Sequence, residues 1–531
     1  MNQKLEKALK KKFNYFNRKN KNSFFFLVSR GRFSNDLGNI IGSIALNKTY
    51  KIYPVVISDD YKKSYNKIFK VFGLKLFQKV FRYHLILKNP IILLLSIFHL
   101  LRCIINTYLK NFEWLIKDFN IKTVKVGDLI YDTYIRYNYN YVNPKIDLTF
   151  INIAFKSIFR TLKSFQLTKK FNPKLILIGT DFYGHNNGIM MRIGITKKIS
   201  VFECQPQFLD INYFSDIKYG KYHLKSYYHK FKKIDKKIIN RFYSQKVNNK
   251  LKSYKGRAFT DIYYHANRFK NQNLNKKKFL SKIFNIADYK KYKKIILLAP
   301  HVFADAPHLQ GNLIFRDFYD EFKETLKIIY KSLYKKNILW ISKIHPAAYL
   351  YGEEKVYKKL IEKYKFPNLI DCPKNINSRE LISICDNVIT SKGSIGLEFA
   401  AEGKLPILGG IAAYSHLGFS YDSKNKNDFF SALKKIEKIK PLTIKQIITA
   451  RTAMYHLDKS TNKIHLNDKN SVMQNFMKMK DQWFDGLSKN ENRDDQSGYI
   501  ISSLNKITKN SIYSDPYFKS LEHAFHNCYK N

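Results

Sequence analysis

Three short segments in the second half of the chain carry side chains that can bind phosphate or move protons. Residues 300–308 read PHVFADAPH, residues 342–346 read SKIHP, and residues 390–394 read TSKGS. Imidazole and carboxylate groups serve as general acids and bases, whereas lysine side chains and backbone N–H groups hold phosphate through hydrogen bonds. The three segments together indicate a site that handles a phosphorylated substrate.

The serine-containing segment lies inside a predicted strand, loop, helix and strand. Residues 387–390 are a β-branched run, residues 395–404 have helical spacing, and residues 405–408 form a second short run before two glycines. This succession is the repeating unit of a parallel α/β sheet. The loop of this unit is therefore expected at the carboxyl end of a strand.

The loop itself consists of Ser391, Lys392, Gly393 and Ser394. Gly393 lets the backbone approach a ligand, and the two serine hydroxyls flank a helix start, whose free N–H groups attract phosphate. The alternative is an ordinary turn in which Ser394 only caps the helix.

Lys343 and His345 stand at the end of another predicted strand, directly before Pro346. Both side chains can donate charge-assisted hydrogen bonds to a phosphate and so stabilise a departing nucleotide. The structural alternative is a His-Pro pair that only ends the strand.

His301, Asp305 and His308 form the densest titratable cluster of the chain. Asp305 or His301 is the preferred general base, and Asp181 and Asp128 from the first half are the rivals. The cluster also has the residue types of a metal site, but no further ligand is found in the sequence nearby. We therefore expect no metal and no other cofactor.

The first half contributes candidate residues for binding a second substrate, which in a group-transfer reaction is the acceptor. The segment GDLIYDTYIR surrounds Asp128, Asp132 and Arg136 with aromatic residues, and such a loop can hold sugar hydroxyls. The alternative is a helix N-terminus with paired charges. Asp181 and His185 follow the predicted strand 175–178, at the strand end where α/β folds place ligands.

The chain of 531 residues is too long for one hydrophobic core and suits two α/β domains with an appendage. The expected division is an acceptor-side Rossmann-like domain at 1–288, a nucleotide-binding Rossmann-like domain at 289–440, and a helical extension at 441–531. Residues 270–294, rich in lysine and asparagine, are expected to be the hinge.

The chain is strongly basic, with 95 Lys and Arg against 41 Asp and Glu and a formal net charge of +54. Such an excess suggests an anionic partner, although a biased codon composition explains it equally well. Residues 1–21 predict a basic amphipathic helix, and residues 225–257 a basic helical face; both fit an anionic membrane surface. The apolar stretch 91–109 approaches the length of a membrane span, but its polar residues favour a buried or interfacial helix.

The five cysteines form no CxxC pair, which favours reduced thiols in a cytoplasmic protein and neither a disulfide framework nor a zinc site.

Read in order, PHVFADAPH, SKIHP and TSKGSIGLEFAAEGKLPILGG with AAYSHLG resemble the nucleotide-binding half of capsular-polysaccharide glycosyltransferases of the GT-B fold. That group is related to bacterial Kdo transferases and more distantly to bacterial sialyltransferases. The resemblance covers residues 295–420, while the first half is compared only through its general α/β layout and the segment GDLIYDTYIR.

The resemblance implies roles for individual residues. His345 and Pro346 match the HP motif, and Ser391 and Ser394 match the Ser/Thr motif, which in these families hold a cytidine nucleotide. Glu398 matches an acid that accepts hydrogen bonds from ribose hydroxyls. The resemblance also implies an inverting transfer without a bound metal.

The sequence therefore predicts a GT-B-like α/β enzyme with two Rossmann-like domains facing a cleft and a helical C-terminal extension. The expected reaction moves a sugar from a nucleotide donor, with a CMP-sugar favoured, to a surface polysaccharide or lipid-linked acceptor. The expected location is the cytoplasm, at the inner face of the plasma membrane.

The alternatives are a CDP-alditol phosphotransferase, a UDP-sugar 2-epimerase, a catalytically silent scaffold and a nucleic-acid-binding protein. The last is motivated by the charge and by 38 tyrosines and 41 phenylalanines. No recognised nucleic-acid-binding module supports it, so no specific nucleic acid is expected as a partner.

Overall fold

The computed structural model describes a large part of the chain, interrupted by several segments. The described residues are 23–28, 39–40, 42–44, 46–47, 50–58, 74, 77–81, 87–179, 183–203, 212–213, 234–252, 276–286, 288–309, 311–333, 337–374, 376 and 378–459. The predicted helix at 1–21, most of the extension at 441–531, and Asp181 lie outside these residues.

The described chain divides into two compact units. The first contains the described residues up to Tyr134 and those from Lys145 to 213; the second contains Ile135–Pro144 and those from 234 to Lys459. Each unit is built around one six-stranded sheet. The division of the chain at residues 288 and 289 stays a prediction.

The described residues of the first unit form eight strands, six of them in its main sheet. The strands are β1 (Phe24–Val28), β2 (Tyr53–Ser58), β3 (Phe77–Lys79), β4 (Asn120–Ile121), β5 (Val124–Lys125), β6 (Leu175–Ile178), β7 (Ser200–Glu203) and β8 (Asn212–Tyr213). The helices in this part of the chain are α1 (Pro90–Lys110), α2 (Phe112–Asp118), α3 (Gly127–Asn138), α4 (Leu148–Phe171) and α5 (Asn186–Thr196).

The central strands of this sheet are short apolar runs that are buried on both faces. The sequences FFFLV in β1 and LILI in β6 are almost wholly buried, as expected for a parallel sheet covered by helices. The strand order is β3-β2-β1-β6-β7-β8, and only β8 runs antiparallel to its neighbour. The pair β4 and β5 forms a separate two-stranded sheet.

The second unit repeats the arrangement with six parallel strands. They are β9 (Lys294–Leu298), β10 (Ile338–Ser342), β11 (Leu369–Asp371), β12 (Asn387–Thr390), β13 (Pro406–Leu408) and β14 (Tyr421–Asp422). The helices are α6 (Lys236–Lys252), α7 (Lys276–Phe284), α8 (Phe318–Ile328, continued by a π-helical turn Ile329–Leu333), α9 (Glu354–Lys363), α10 (Ser378–Ile384), α11 (Ser394–Ala401), α12 (Lys426–Lys434) and α13 (Ile444–Lys459). Short 3₁₀ helices occupy Pro346–Tyr351 and Ile436–Lys438.

The strand order of the second sheet is β11-β10-β9-β12-β13-β14. In order of appearance this is 3-2-1-4-5-6, the Rossmann order, and the first sheet has the same order. The order reverses beside β9, which pairs with β10 on one side and β12 on the other. Ligands of such folds bind outside the carboxyl ends of the strands at this reversal.

The predicted fold class, α/β with two Rossmann-like units, is confirmed by these two sheets. The strand predicted at 387–390 coincides with β12, and the helix after it is α11. Within the segment expected to be a hinge, α7 buries Phe279 and Leu280 in a core of the second unit. Of the predicted helical extension, the structure describes only α13.

Candidate functional site

The loops that follow β9 and β10 bring two histidines together at the reversal of the second sheet. The rings of His301 and His345 lie parallel, with 5.5 Å between their centroids. The His301 ring also stacks on the ring of Phe318, the first residue of α8, with 4.4 Å between the ring centroids. Two predicted site residues from segments more than 40 positions apart therefore meet at this edge.

His345 is held as a neutral imidazole. Its Nδ1 accepts a hydrogen bond of 3.1 Å from the backbone N–H of Ala347, so the ring hydrogen is assigned to Nε2. Burial and then the neighbouring His301 lower its pKa to about 3. At neutral pH the ring is therefore an uncharged donor through Nε2, and in the predicted hydrogen bond to phosphate the charge would come from the phosphate alone.

His301 is neutral for related reasons. Burial, and then the charge of Lys392, lower its pKa to about 4. Its Nδ1 is buried and has no hydrogen-bond partner among the described residues. A buried ring nitrogen without a partner is costly, so a ligand atom that pairs with it would be stabilising.

The two lysines predicted to bind phosphate are engaged by backbone carbonyls. Lys392 Nζ donates to the carbonyl oxygens of Pro307, at 2.6 Å, and Gly311. Lys343 Nζ lies 3.4 and 3.3 Å from the carbonyl oxygens of Pro373 and Lys374. Lys392 thus joins the loop after β12 to the loop after β9.

Burial lowers the pKa of Lys343, while Cys372 and Asp371 oppose that shift. Each lysine contributes its charge to the local field, and two backbone carbonyls lie within hydrogen-bond distance of its ammonium group.

The loop between β12 and α11 leaves the start of the helix uncapped. Gly393 is the N-cap residue, with φ −61° and ψ 141°, and no side chain donates or accepts there as a cap. Ser394 is the first helical residue and is exposed, so the alternative in which Ser394 caps the helix is wrong. Ser391 Oγ is buried without a hydrogen-bond partner in the described structure. A helix start of this kind offers backbone N–H groups and a positive dipole end to an anion.

The helix start is fixed by close packing against Tyr414. The Tyr414 hydroxyl donates a 2.6 Å hydrogen bond to the carbonyl oxygen of Gly393. A Cβ atom at Gly396 would overlap that hydroxyl and lie 3.2 Å from Pro406 Cβ. Glycine at 396 is therefore required by the approach of the tyrosine. Glu398, one turn from the helix start, is partly buried.

Asp305 lies on the loop after β9, beside Arg136. The Arg136 guanidinium is 4.0 Å from the Asp305 carboxylate and lies over the ring of Tyr351, 4.1 Å from its centroid. The Asp305 side chain is 47% exposed, but the protein atoms around it reduce its hydration and raise its pKa, while the charges of Arg136 and His345 oppose the rise. Arg136 was predicted on the acceptor side; it belongs to the second unit, next to the preferred general base.

Glu353 organises this loop and was missed in the sequence. Its two carboxylate oxygens accept hydrogen bonds of 2.8 Å from the backbone N–H groups of Phe303 and Ala304. Burial raises its pKa to about 7, against the effect of those two hydrogen bonds. The EE pair at the start of a helix reads as an ordinary first-turn acid, so only the fold could reveal this contact.

Glu321 is a second acid that sequence reasoning missed. It is buried on α8, and its carboxylate is packed against Gly409, where a Cβ atom would overlap it. Burial raises its pKa to about 8, and the charge of Lys392 opposes that shift. The site edge therefore contains an acid that is largely protonated at neutral pH.

His308 and Pro346 complete the second-unit predictions. His308 is buried, and Pro346 begins the 3₁₀ helix that carries the backbone donor to His345. The second unit thus contains the preferred base residues and all the predicted nucleotide-binding residues, whereas the rival base Asp128 lies in the first unit.

The acceptor-side candidates of the first unit have structural partners. Asp128 is buried and accepts a 2.8 Å hydrogen bond from Arg192, which is also fully buried. Asp132 is buried on the same helix, α3, so GDLIYDTYIR is a helix and not a loop. His185 is the N-cap residue of α5 and gives no side-chain cap. The helix with paired charges, the alternative considered for Asp128, is what the structure contains.

No cluster of three or more His, Cys, Asp and Glu residues that could hold a metal ion occurs within the described ranges.

The chain matches no family model and no curated protein. Among solved structures it is similar to the β-Kdo 2,4 transferase KpsC of Thermosulfurimonas dismutans, with 18% identity over 30% of this chain and 44% of that chain, and a TM-score of 0.21. The match thus spans less than half of that transferase's length.

Two further matches cover nearly the whole of the other chain. Anabaena Alr3699/HepE, solved with UDP and glucose, is 9% identical over 83% of this chain and 97% of its own, with a TM-score of 0.27. UDP-GlcNAc 2-epimerase from Neisseria meningitidis, bound to UDP-GlcNAc, is 10% identical over 83% and 100%, with a TM-score of 0.23. TM-scores this low do not indicate a function. The fold class rests on the strand order of the two sheets.

Proposed function

We propose that this protein is a glycosyltransferase that moves a sugar from a nucleotide donor to a surface-polysaccharide or lipid-linked acceptor, with a CMP-sugar as the favoured donor. The observation that carries the proposal is the stacked pair of His301 and His345 at the strand-order reversal of a Rossmann-type sheet. The uncapped start of α11 follows β12, the strand on the other side of that reversal. The favoured nucleotide rests on the resemblance of the HP and serine segments, which the site geometry leaves open.

Uncharged groups at this edge can donate hydrogen bonds to the phosphate of the nucleotide. The backbone N–H groups at the start of α11 and the buried Ser391 hydroxyl suit phosphate oxygens, while Lys392 adds positive charge. The Ala347 N–H occupies the Nδ1 side of the His345 ring, so Nε2–H remains as the hydrogen-bond donor of this ring. A neutral donor held in place can stabilise the charge that develops on a departing nucleotide.

In the proposed transfer the bond between the sugar's anomeric carbon and the donor phosphate oxygen breaks. The nucleotide departs with the bonding electrons, and the acceptor hydroxyl oxygen forms the new bond to the anomeric carbon with inversion. The acceptor proton passes to a base, for which Asp305 is the choice because its exposed carboxylate lies on the same loop as His301 and its pKa is raised. The location proposed is the cytoplasm, and no metal is invoked.

The test is a thermal-shift panel of CMP, CDP, UDP and GDP on the wild type, His345→Ala and Lys291→Ala. Lys291 is exposed and precedes β9, so it lies at the opposite edge of the same sheet and serves as the control. A bound nucleotide at about 100 times its Kd should raise Tm by about 5 °C or more in the wild type and the control. His345→Ala should lose most of that shift while keeping its ligand-free Tm within a few degrees.

A product assay with the stabilising nucleotide's sugar then identifies the reaction. Sugar incorporation that requires an acceptor supports a transferase. Release of an epimerised free sugar without an acceptor would replace the proposal with a 2-epimerase. Equal shifts in the wild type and His345→Ala would remove the nucleotide from this edge.

A further inference from the structure

Helix α1 of the first unit exposes a continuous apolar stripe. The exposed members recur at intervals of three and four residues along one face, with exposed fractions between 52% and 73%: Ile91, Leu94, Phe98, Leu101, Ile105 and Leu109. Large exposed apolar patches of this kind mark interaction sites in soluble domains. Among the helices the structure describes, α1 alone is long and apolar enough to cross a membrane by composition.

The other face of α1 is tied to the protein. Ile92, Ser96, Cys103 and Thr107 are buried on that side, where α1 packs along α4. Arg102 donates a 2.8 Å hydrogen bond to the carbonyl oxygen of Asn120. A helix packed on a domain along one face and apolar on the other suits a position in the plane of a membrane surface, not across it.

A basic groove of about 600 Å³ lies along α1, the helix that carries the apolar stripe. Its apolar lining includes Ile92 and Leu95 of α1 and Phe165 of α4, so the groove and the stripe share a helix. Lys122, Lys169 and Lys197 stand around it, and all three are exposed.

The Lys122 and Lys197 ammonium groups lie 5.1 and 5.7 Å from the centroid of the Phe165 ring. None of the described residues that line the groove is acidic.

We propose that the apolar stripe and the lysine groove together form a docking surface for a bilayer that contains anionic phospholipid. The acyl-chain region would cover the exposed residues of α1, and headgroup phosphates would lie among the three lysines. Charge decides against a second copy of the chain as the occupant, because a symmetric pairing would bring the same lysines together without an acid in α1 or the groove to balance them. A bilayer supplies both the apolar and the anionic component. This surface lies outside residues 1–21 and 225–257, the basic segments considered from sequence.

The test is co-sedimentation of the full chain with vesicles of phosphatidylcholine alone and of phosphatidylcholine with about one third phosphatidylglycerol. Four proteins are compared: the wild type, the groove variant K122E/K169E/K197E, the stripe variant L94Q/F98Q/L101Q, and the control K290E/K291E/K293E. The control changes three exposed lysines of the second unit and so alters the net charge by the same amount as the groove variant. All substituted side chains are exposed, so the ligand-free Tm should stay close to that of the wild type.

The expected result is binding of the wild type and the control to anionic vesicles, within about twofold of each other, and weak binding to phosphatidylcholine alone. The groove and stripe variants should each bind anionic vesicles at least about tenfold more weakly. The groove variant loses the electrostatic part of the binding free energy, and the stripe variant loses the part that comes from burying apolar side chains. Equal losses in the groove variant and the control would overturn the proposal in favour of unspecific charge attraction.

A concentration-dependent dimer that the stripe variant abolishes, with no vesicle binding by the wild type, would equally overturn the proposal. Nucleotide-induced thermal shifts on the same variants keep this test separate from the proposed enzymatic function.

Discussion

Replacement of His345 by asparagine should make the stability of the second unit less sensitive to acid. In the wild type, His345 Nδ1 accepts the Ala347 N–H at 3.1 Å, and an asparagine Oδ1 can take over that acceptor role two residues before the donor. The native ring therefore has to stay neutral to keep the hydrogen bond, because protonation would place two donors face to face. Asparagine preserves the contact and removes the titration.

The magnitude follows from the difference in pKa between the two states. In the unfolded chain His345 titrates near 6.5, and in the folded protein burial and His301 lower its pKa to about 3. The stabilisation is fully present above pH 6.5 and is lost as the pH falls towards 3, because the unfolded state takes up the proton first. One pKa unit corresponds to about 1.36 kcal/mol, so by pH 5 the loss from this ring is about 2 kcal/mol. His301 adds a loss of the same sign in both proteins.

The assay is urea unfolding at pH 7 and pH 5, followed by the fluorescence of Trp340. The chain has three tryptophans, and Trp340 in β10 is fully buried within the second unit. A background with Trp114→Phe and Trp483→Phe confines the signal to that unit. The free energy of unfolding should fall from pH 7 to pH 5 by about 2 kcal/mol less in His345→Asn than in the matched His345 protein. Equal losses in the two proteins, within about 0.5 kcal/mol, would refute the neutral state of this imidazole.

Gly396→Ala should weaken nucleotide binding and destabilise the second unit by about 1–3 kcal/mol, since the new methyl group would overlap the Tyr414 hydroxyl; an unchanged thermal shift would contradict this. Asp128→Asn should destabilise the first unit by about 3 kcal/mol, measured by Trp114 fluorescence, because Arg192 is left buried and unpaired. A double variant that makes both positions apolar should recover stability, a result that a sugar-binding role of Asp128 would not produce. Glu353→Gln should cost about 1–3 kcal/mol in the Trp340 assay, because one of two buried N–H groups loses its acceptor. Glu354→Gln, which removes only a solvent-accessible ion pair with Lys374 at a partly exposed position, should cost much less.

Patterns that depend on neighbouring residues could be predicted from the sequence. The run Asn387–Thr390 coincides with β12. A parallel strand that is buried on both faces is a mostly apolar run, and small turn residues follow it, so both features are visible in the sequence. The same logic located the strand ends that carry His301 and His345. These residues are local in sequence to the strands that position them, so their edge of the sheet was predictable.

Charge states and distant partners could not be predicted in this way. Whether Lys343 and Lys392 face a ligand or backbone carbonyls depends on loops that lie 30 and 85 residues away in the chain. GDLIYDTYIR reads as a loop with sugar-binding acids, yet its Asp128 is buried because Arg192, on a helix 64 residues later, balances its charge. Periodicity and composition carry no information about such pairings.

The sequence by itself determined two α/β units and the strand ends at which a phosphate-binding edge would lie, because backbone hydrogen bonding and apolar burial act over a few residues at a time. Only the tertiary structure decided that the two histidines are neutral and that Glu353 holds the loop after β9. It also decided that one face of α1 is left uncovered. Each of these depends on which atoms from distant segments exclude water from a group, and burial of that kind exists only once the chain has folded.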